Sequence, residues 1–147
     1  MNTVIFACVQ NAGRSQMAAA FFAQLANPAL ARALSAGTRP AAHVHPEVVE
    51  TMSEVCIDLS GSTPRLLTAE LARGARWLIT MGCGDECPVA PGARREDWPL
   101  ADPAGQPPER VREIRDEIRE RVRDLVVREG WAFQAGVGTR GARPAAR

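Results

Sequence analysis

The chain has 147 residues, 46% apolar and 24% charged, with a net charge of +1. That is enough for one domain with a proper core and gives no reason to expect a polyanion or a membrane surface as partner. All its basic residues are Arg, which with the many Ala and Gly reads as genome composition bias.

In chain order, Thr3 to Ala7 is a short apolar, β-rich run, expected to be a buried parallel strand. The start, Met1 to Ala7, lacks a basic leading region and a cleavage site, so it does not read as a signal peptide. No stretch reaches transmembrane length. The expected location is therefore the cytoplasm, where Cys8, Cys56, Cys83 and Cys87 stay reduced instead of forming structural disulfides. Only Cys83 and Cys87 are close in sequence, and His43 and His45 have no matching spacing, so neither a zinc site nor another resident metal is expected.

A Gly-containing loop, Cys8 to Arg14, comes next. Ser15 stands as N-cap before a helix carrying Met17, Phe21, Phe22 and Leu25. Ala33 to Ala36 is a weak second strand ending at Gly37. Pro46 to Val55 reads as a helix with Pro in its first turn. Thr63 is the expected cap of another, Pro64 to Arg73. Trp77 to Met81 is the clearest later strand, and Glu96 to Leu100 a short one. Val111, Ile114, Ile118, Val122 and Leu125 recur at helical spacing over Glu109 to Arg128. The tail from Gly136 is rich in Gly, Ala and Arg and reads as disordered. Strands alternating with helices predict an α/β sandwich around a mainly parallel sheet, one domain over 1–133 with a tail over 134–147.

The informative segment is Cys8-Val9-Gln10-Asn11-Ala12-Gly13-Arg14-Ser15. It lies between the first strand and the first helix, where open α/β sheets bind ligands. The backbone N–H groups of such a loop, Val9 to Arg14, and the helix N-terminus form an anion cradle. Arg14 adds a planar fork of donors that suits a tetrahedral oxyanion. The same positive field favours thiolate over thiol at Cys8, and Ser15 can donate to it. Asn11 is a plausible brace, because Asn tolerates left-handed backbone. No Gly-Lys-Ser/Thr follows, so this is not a nucleotide-binding phosphate loop. Cys56, between Val55 and Ile57, reads as core packing, and His43 and His45 as surface residues.

Four segments resemble the low-molecular-weight tyrosine phosphatase superfamily, and within it the thioredoxin-coupled arsenate reductases. They are CVQNAGRSQMA (8–18), LSAG (34–37), TMGCGDECP (80–88) and DWPLADPAG (97–105), the last followed by the long charged helix. The resemblance covers all but the tail. It implies a three-layer sandwich with a central, mainly parallel four-stranded sheet flanked by helices. It makes Cys8 the nucleophile, Arg14 the oxyanion clamp, Ser15 the thiolate stabiliser, Asn11 the loop organiser and Asp102 the general acid. Cys83 and Cys87 become the resolving pair. On a helical turn, cysteines four apart sit about 6 Å apart, near the usual disulfide range of about 4.4–6.8 Å.

The activity so implied is reduction of arsenate to arsenite, with thioredoxin or a low-molecular-weight thiol (mycothiol or glutathione) as reductant. No cofactor, nucleic acid or membrane partner is implied. The chain departs from the pattern at Gly13, where a second loop cysteine is common, and at Ala19, where some members have a potassium-binding glutamate. Asp58 and Ser35 are candidate remnants of that cation site. The Cys83–Cys87 spacing is tighter than usual, and Gly82-Cys83-Gly84-Asp85 resembles relatives that use a low-molecular-weight thiol. A tyrosine phosphatase is the competing enzyme class. Against it stand Ser15-Gln16 in place of Ser-Pro, Asp102-Pro103-Ala104 in place of Asp-Pro-Tyr, and the absence of any Tyr. Weak residual phosphatase activity is expected, because the same loop should bind phosphate. A non-enzymatic anion sensor would need neither Asp102 nor accessory cysteines.

Overall fold

The computed structural model describes residues 2–82 and 92–133. Its elements run β1 (Asn2–Cys8), α1 (Arg14–Leu25), β2 (Ala31–Gly37), α2 (Pro46–Ser53), α3 (Ala69–Arg73), β3 (Trp77–Thr80), β4 (Arg94–Asp97) and α4 (Pro108–Arg128). The four strands form one sheet in the order β2-β1-β3-β4, every pairing parallel.

The alternation of side chains along β1 divides the core into two layers. Val4, Phe6 and Cys8 face a large apolar cluster with Met17, Phe21 and Phe22 of α1 and Ile114, Ile118, Val122 and Leu125 of α4. Ile5 and Ala7 face a smaller cluster with Leu67, Ala72 and Leu78 beside α3. Both faces of β1 are therefore covered, which is why it is continuously apolar from Val4 to Cys8. Phe6 carries much of the larger layer, edge-on to Phe22 at 6.0 Å and tilted against Trp98 at 5.7 Å. Full burial of such a ring contributes roughly 1.5–3 kcal/mol. This is the three-layer α/β sandwich expected from the sequence.

Several local expectations shift. The first helix begins at Arg14 with Gly13 in the cap position, so Ser15 is not the N-cap; its side chain is taken up by Cys8 and Asn11. The third helix is shorter than expected. Thr68, not Thr63, caps it, accepting the Leu71 N–H at 3.0 Å. Strand β4 lies two residues before the expected start, because Arg94 to Asp97 pairs in register with Trp77 to Thr80. Cys56 is exposed and takes φ 66°, so it is not core packing. It closes the end of α2, where the Ile57 N–H reaches back to Met52 O and the Cys56 N–H to Ser53 O, both at 3.0 Å.

From β1 the chain goes to β2 on one side and reaches β3 on the other, so the C-terminal end of β1 is the point where strand order reverses. Such a point leaves a crevice open beyond the sheet. Cys8 is the last residue of β1 and stands there. Among the described residues no helix is long and apolar enough to cross a membrane.

Candidate active site

The loop after β1 folds around its own cysteine. The Cys8 Sγ lies 2.9 Å from Ser15 Oγ and accepts the Asn11 backbone N–H at 3.2 Å. Asn11 is fully buried with φ 51°, a left-handed turn for which Asn is one of the few suited side chains. Its Nδ2 donates to Ser15 Oγ at 2.7 Å, and its Oδ1 accepts the Arg65 N–H at 2.9 Å. Gln16 Nε2 closes the network by donating to the Asn11 carbonyl at 3.0 Å. These buried polar groups satisfy one another, which fixes the loop in one shape.

Outside, the loop leans on β2. The Thr38, Arg39 and Ala41 N–H groups donate to the carbonyls of Cys8, Val9 and Gln10. A Cβ on Gly37 would stand 2.5 Å from Val9 O and 2.8 Å from Asn11 N, so only glycine lets the loop lie this close.

The result is a cavity of about 450 Å³ lined by Cys8, Val9, Gln10, Ala12, Gly13 and Arg14, with His45, Gly82, Asp102 and Ala104 opposite. Of the loop residues expected to hold an oxyanion, all but Asn11 line it; Asn11 sits behind, as the brace. The first turn of a helix has N–H groups without intrahelical acceptors, and α1 starts at this cavity. The Arg14 guanidinium is held by Nη1 donating to Leu100 O at 3.0 Å. Its Nη2 lies 3.9 Å from Asp102 Oδ2, too long for a hydrogen bond but close enough for attraction. Asp102 is mostly exposed, and its Oδ1 accepts the Ala104 N–H at 3.0 Å.

Cys8, Arg14, Ser15 and Asp102 thus come together from β1, α1 and the loop after β4. Cys83 and Cys87 lie outside the described residues; Gly82, just before Cys83, borders the cavity. His45, expected at the surface, lines the cavity, while His43 is exposed. The only signal for His45 was its place directly before the helix-starting Pro46. Asp58 is exposed and accepts both the N–H and the hydroxyl of Ser60, at 2.9 and 2.6 Å. No cluster of three or more His, Cys, Asp or Glu suited to a metal occurs among the described residues.

The family model for low molecular weight phosphotyrosine protein phosphatase matches residues 3–134. The chain belongs to that family. A protein of Halobacterium salinarum, provisionally named an arsenate reductase, is 46% identical over 124 residues, covering 82% of this chain and 87% of its own. A glutaredoxin arsenate reductase of Synechocystis is 36% identical over 131 residues, covering 87% and 98%. Among solved structures of this phosphatase family, a thioredoxin-dependent arsenate reductase of Corynebacterium glutamicum superposes with a TM-score of 0.75 at 40% identity. That match covers 87% of this chain but 61% of the other, so the chain spans about three fifths of that protein's length.

Proposed function

We propose that the chain reduces arsenate to arsenite through a covalent adduct on Cys8. The observation that carries this reading is the sulfur of Cys8, braced by Ser15 and Asn11, on the wall of a cavity that Arg14 and Asp102 also line. The names of the relatives support arsenate as the oxyanion.

In the first step the Cys8 thiolate attacks arsenic. An S–As bond forms, one As–O bond breaks, and Asp102 gives its proton to the departing oxygen, which leaves as water. Arg14 and the loop N–H groups hold the remaining oxygens. In the second step a thiolate attacks the Cys8 sulfur. The S–As bond breaks, its electron pair goes to arsenic, and As(V) leaves as As(III) in arsenite. Two thiols have become one disulfide. Cys83 is the natural attacker, because its neighbour Gly82 borders the cavity. Cys87 then attacks Cys83, frees Cys8 and leaves a Cys83–Cys87 disulfide for thioredoxin. A second reading, favoured by the Synechocystis relative, uses an external thiol such as glutathione or mycothiol with its redoxin. Slow phosphate ester hydrolysis at Cys8 is proposed as a side activity of the same loop, a reading that membership of the phosphatase family supports.

The test is arsenite production with thioredoxin and its reductase, compared with glutathione or mycothiol and a glutaredoxin-type partner. Cys8→Ser should abolish turnover in every system. With an internal relay, Cys83→Ser forms the adduct without turnover, and Cys87→Ser stops at a Cys8–Cys83 disulfide seen by mass spectrometry. Full thioredoxin-driven activity in Cys83→Ser would remove the relay and leave the external thiol. Absence of arsenite in all systems would overturn the reading.

A further inference from the structure

Besides the Arg14 Nη1 bond to Leu100 O, two contacts hold the loop that carries Asp102, and the proposed mechanism uses neither. Pro103 is buried against Gly13, where a Cβ would stand 2.9 Å from its Cγ. On the far side, Glu47 Oε2 of α2 accepts the Gly105 N–H at 2.7 Å. Gly105 has φ 73°, in the left-handed region that favours glycine. Ala104 lies between these anchors and Asp102 directly before the first, and both line the cavity. The first anchor is part of the oxyanion loop itself. The second is a single charged side chain from another element.

We propose that Glu47 is a positioning residue for the reaction: by accepting the Gly105 N–H it holds the Asp102 loop at the mouth of the Cys8 cavity. The inference rests on the reading of Asp102 as proton donor.

Three observations support it. Glu47 lies in the first turn of α2, directly after the helix-starting Pro46. Its carboxyl is held below the ordinary carboxylate range, first by the Gly105 N–H and next by its own backbone N–H, with His45 adding a smaller favourable charge. It is therefore a charged acceptor at neutral pH, and a charge-assisted hydrogen bond is roughly twice as strong as a neutral one. Finally, once Asp102 has given up its proton, its charge and that of Glu47 oppose each other. The hydrogen bond keeps the loop beside Glu47 against that repulsion. Without it, the partner that remains to Asp102 outside its own turn, among the described residues, is Arg14 at 3.9 Å. A proton donor must stand within hydrogen-bond reach of the leaving oxygen, so a loop that swings away lowers kcat and leaves oxyanion binding intact.

The test pairs a substrate-free readout with a kinetic cycle. By amide exchange, the Gly105 N–H should be protected in wild type and lose about tenfold in protection in Glu47→Ala, while the Asn11 N–H keeps its own. In arsenate turnover, Glu47→Ala should lower kcat about tenfold, with KM changing less than about twofold. Glu47→Gln keeps an acceptor oxygen and should stay within about twofold of wild type. In an Asp102→Ala background, Glu47→Ala should cause almost no further loss, because the two act through one proton. The same tenfold loss in that background would mark a merely structural role and overturn the inference. So would unchanged Gly105 exchange. If wild type produces no arsenite, the substrate reading fails while the exchange experiment still decides the latch.

Discussion

Gly37 has the least room of the described glycines around the site. A methyl group there meets backbone atoms, Val9 O at 2.5 Å and Asn11 N at 2.8 Å, which cannot rotate away. Gly37→Ala must therefore push the Cys8 loop off β2. We expect a loss of about 1–3 kcal/mol in stability, the usual cost of overpacking, together with loss of phosphate binding by calorimetry. Gly61 has open space around its would-be Cβ, so Gly61→Ala should change stability by less than about 0.5 kcal/mol. Equal effects of the two substitutions would remove the steric argument. At this scale the sequence was informative for Cys8, Asn11, Arg14 and Ser15, because their chemistry is carried by one short loop whose spacing is visible. It put His45 at the surface and said nothing of Glu47. His45 stands directly before α2 and Glu47 in its first turn, so their place depends on how that helix lies on the sheet, which no local pattern encodes.

The helices differ in how plainly their ends are written. Helix α4 has an apolar stripe of five buried residues at helical spacing, and its limits were legible within one residue. Helix α2 ends in a motif that normally carries glycine, and here the left-handed position is Cys56 with φ 66°. A side chain in that conformation costs roughly 1–2 kcal/mol relative to glycine. Part of any gain on substitution is lost to the greater freedom of glycine in the unfolded chain, about 0.5–1 kcal/mol. Because Cys56 is exposed, no packing is sacrificed. Cys56→Gly should therefore stabilise the protein by about 0.5–1 kcal/mol, and Cys56→Val should destabilise it by a similar amount. Urea midpoints for the two variants and wild type measure this; a lower midpoint for Cys56→Gly would show that the side chain makes a contact of value. Apolar neighbours alone suggested a buried Cys56. The reversal of the backbone that turns it outward comes from helix termination, and without a Gly that signal was absent.

At the scale of the whole molecule, α2 is joined to its surroundings by carboxylates at both ends. Glu47 takes the Gly105 N–H, while Glu54 pairs with Arg112 at 2.9 Å and with Arg115 at 3.0 Å, tying α2 to α4. Arg115 is itself buried and donates to Thr51 O at 2.8 Å, so Glu54 also neutralises a cation held inside the fold. Glu54 is lowered from its ordinary value of 4.5, chiefly by the Arg112 hydrogen bond, and Glu47 is lowered from 4.5 as described. Asp58 is lowered from 3.8 by the Ser60 hydroxyl and N–H. In each case the folded state releases its proton more readily than the unfolded chain, so the unfolded chain binds more protons in acid and stability rises with pH there. The stabilisation is complete above the ordinary carboxylate values and is lost as pH falls through the lower folded-state values. Urea midpoints should therefore be flat from pH 7 to about 5.5 and fall steadily below about 4.5. Glu54→Gln should lower the midpoint at neutral pH and make the acid decline shallower, because one group no longer titrates. Its effect should shrink in 1 M salt, since the Glu54–Arg112 pair is exposed and screened, whereas the Arg115–Thr51 contact is not. A Glu54→Gln variant whose midpoint declines in acid as steeply as wild type would show that the α2–α4 pairing is not what acid breaks.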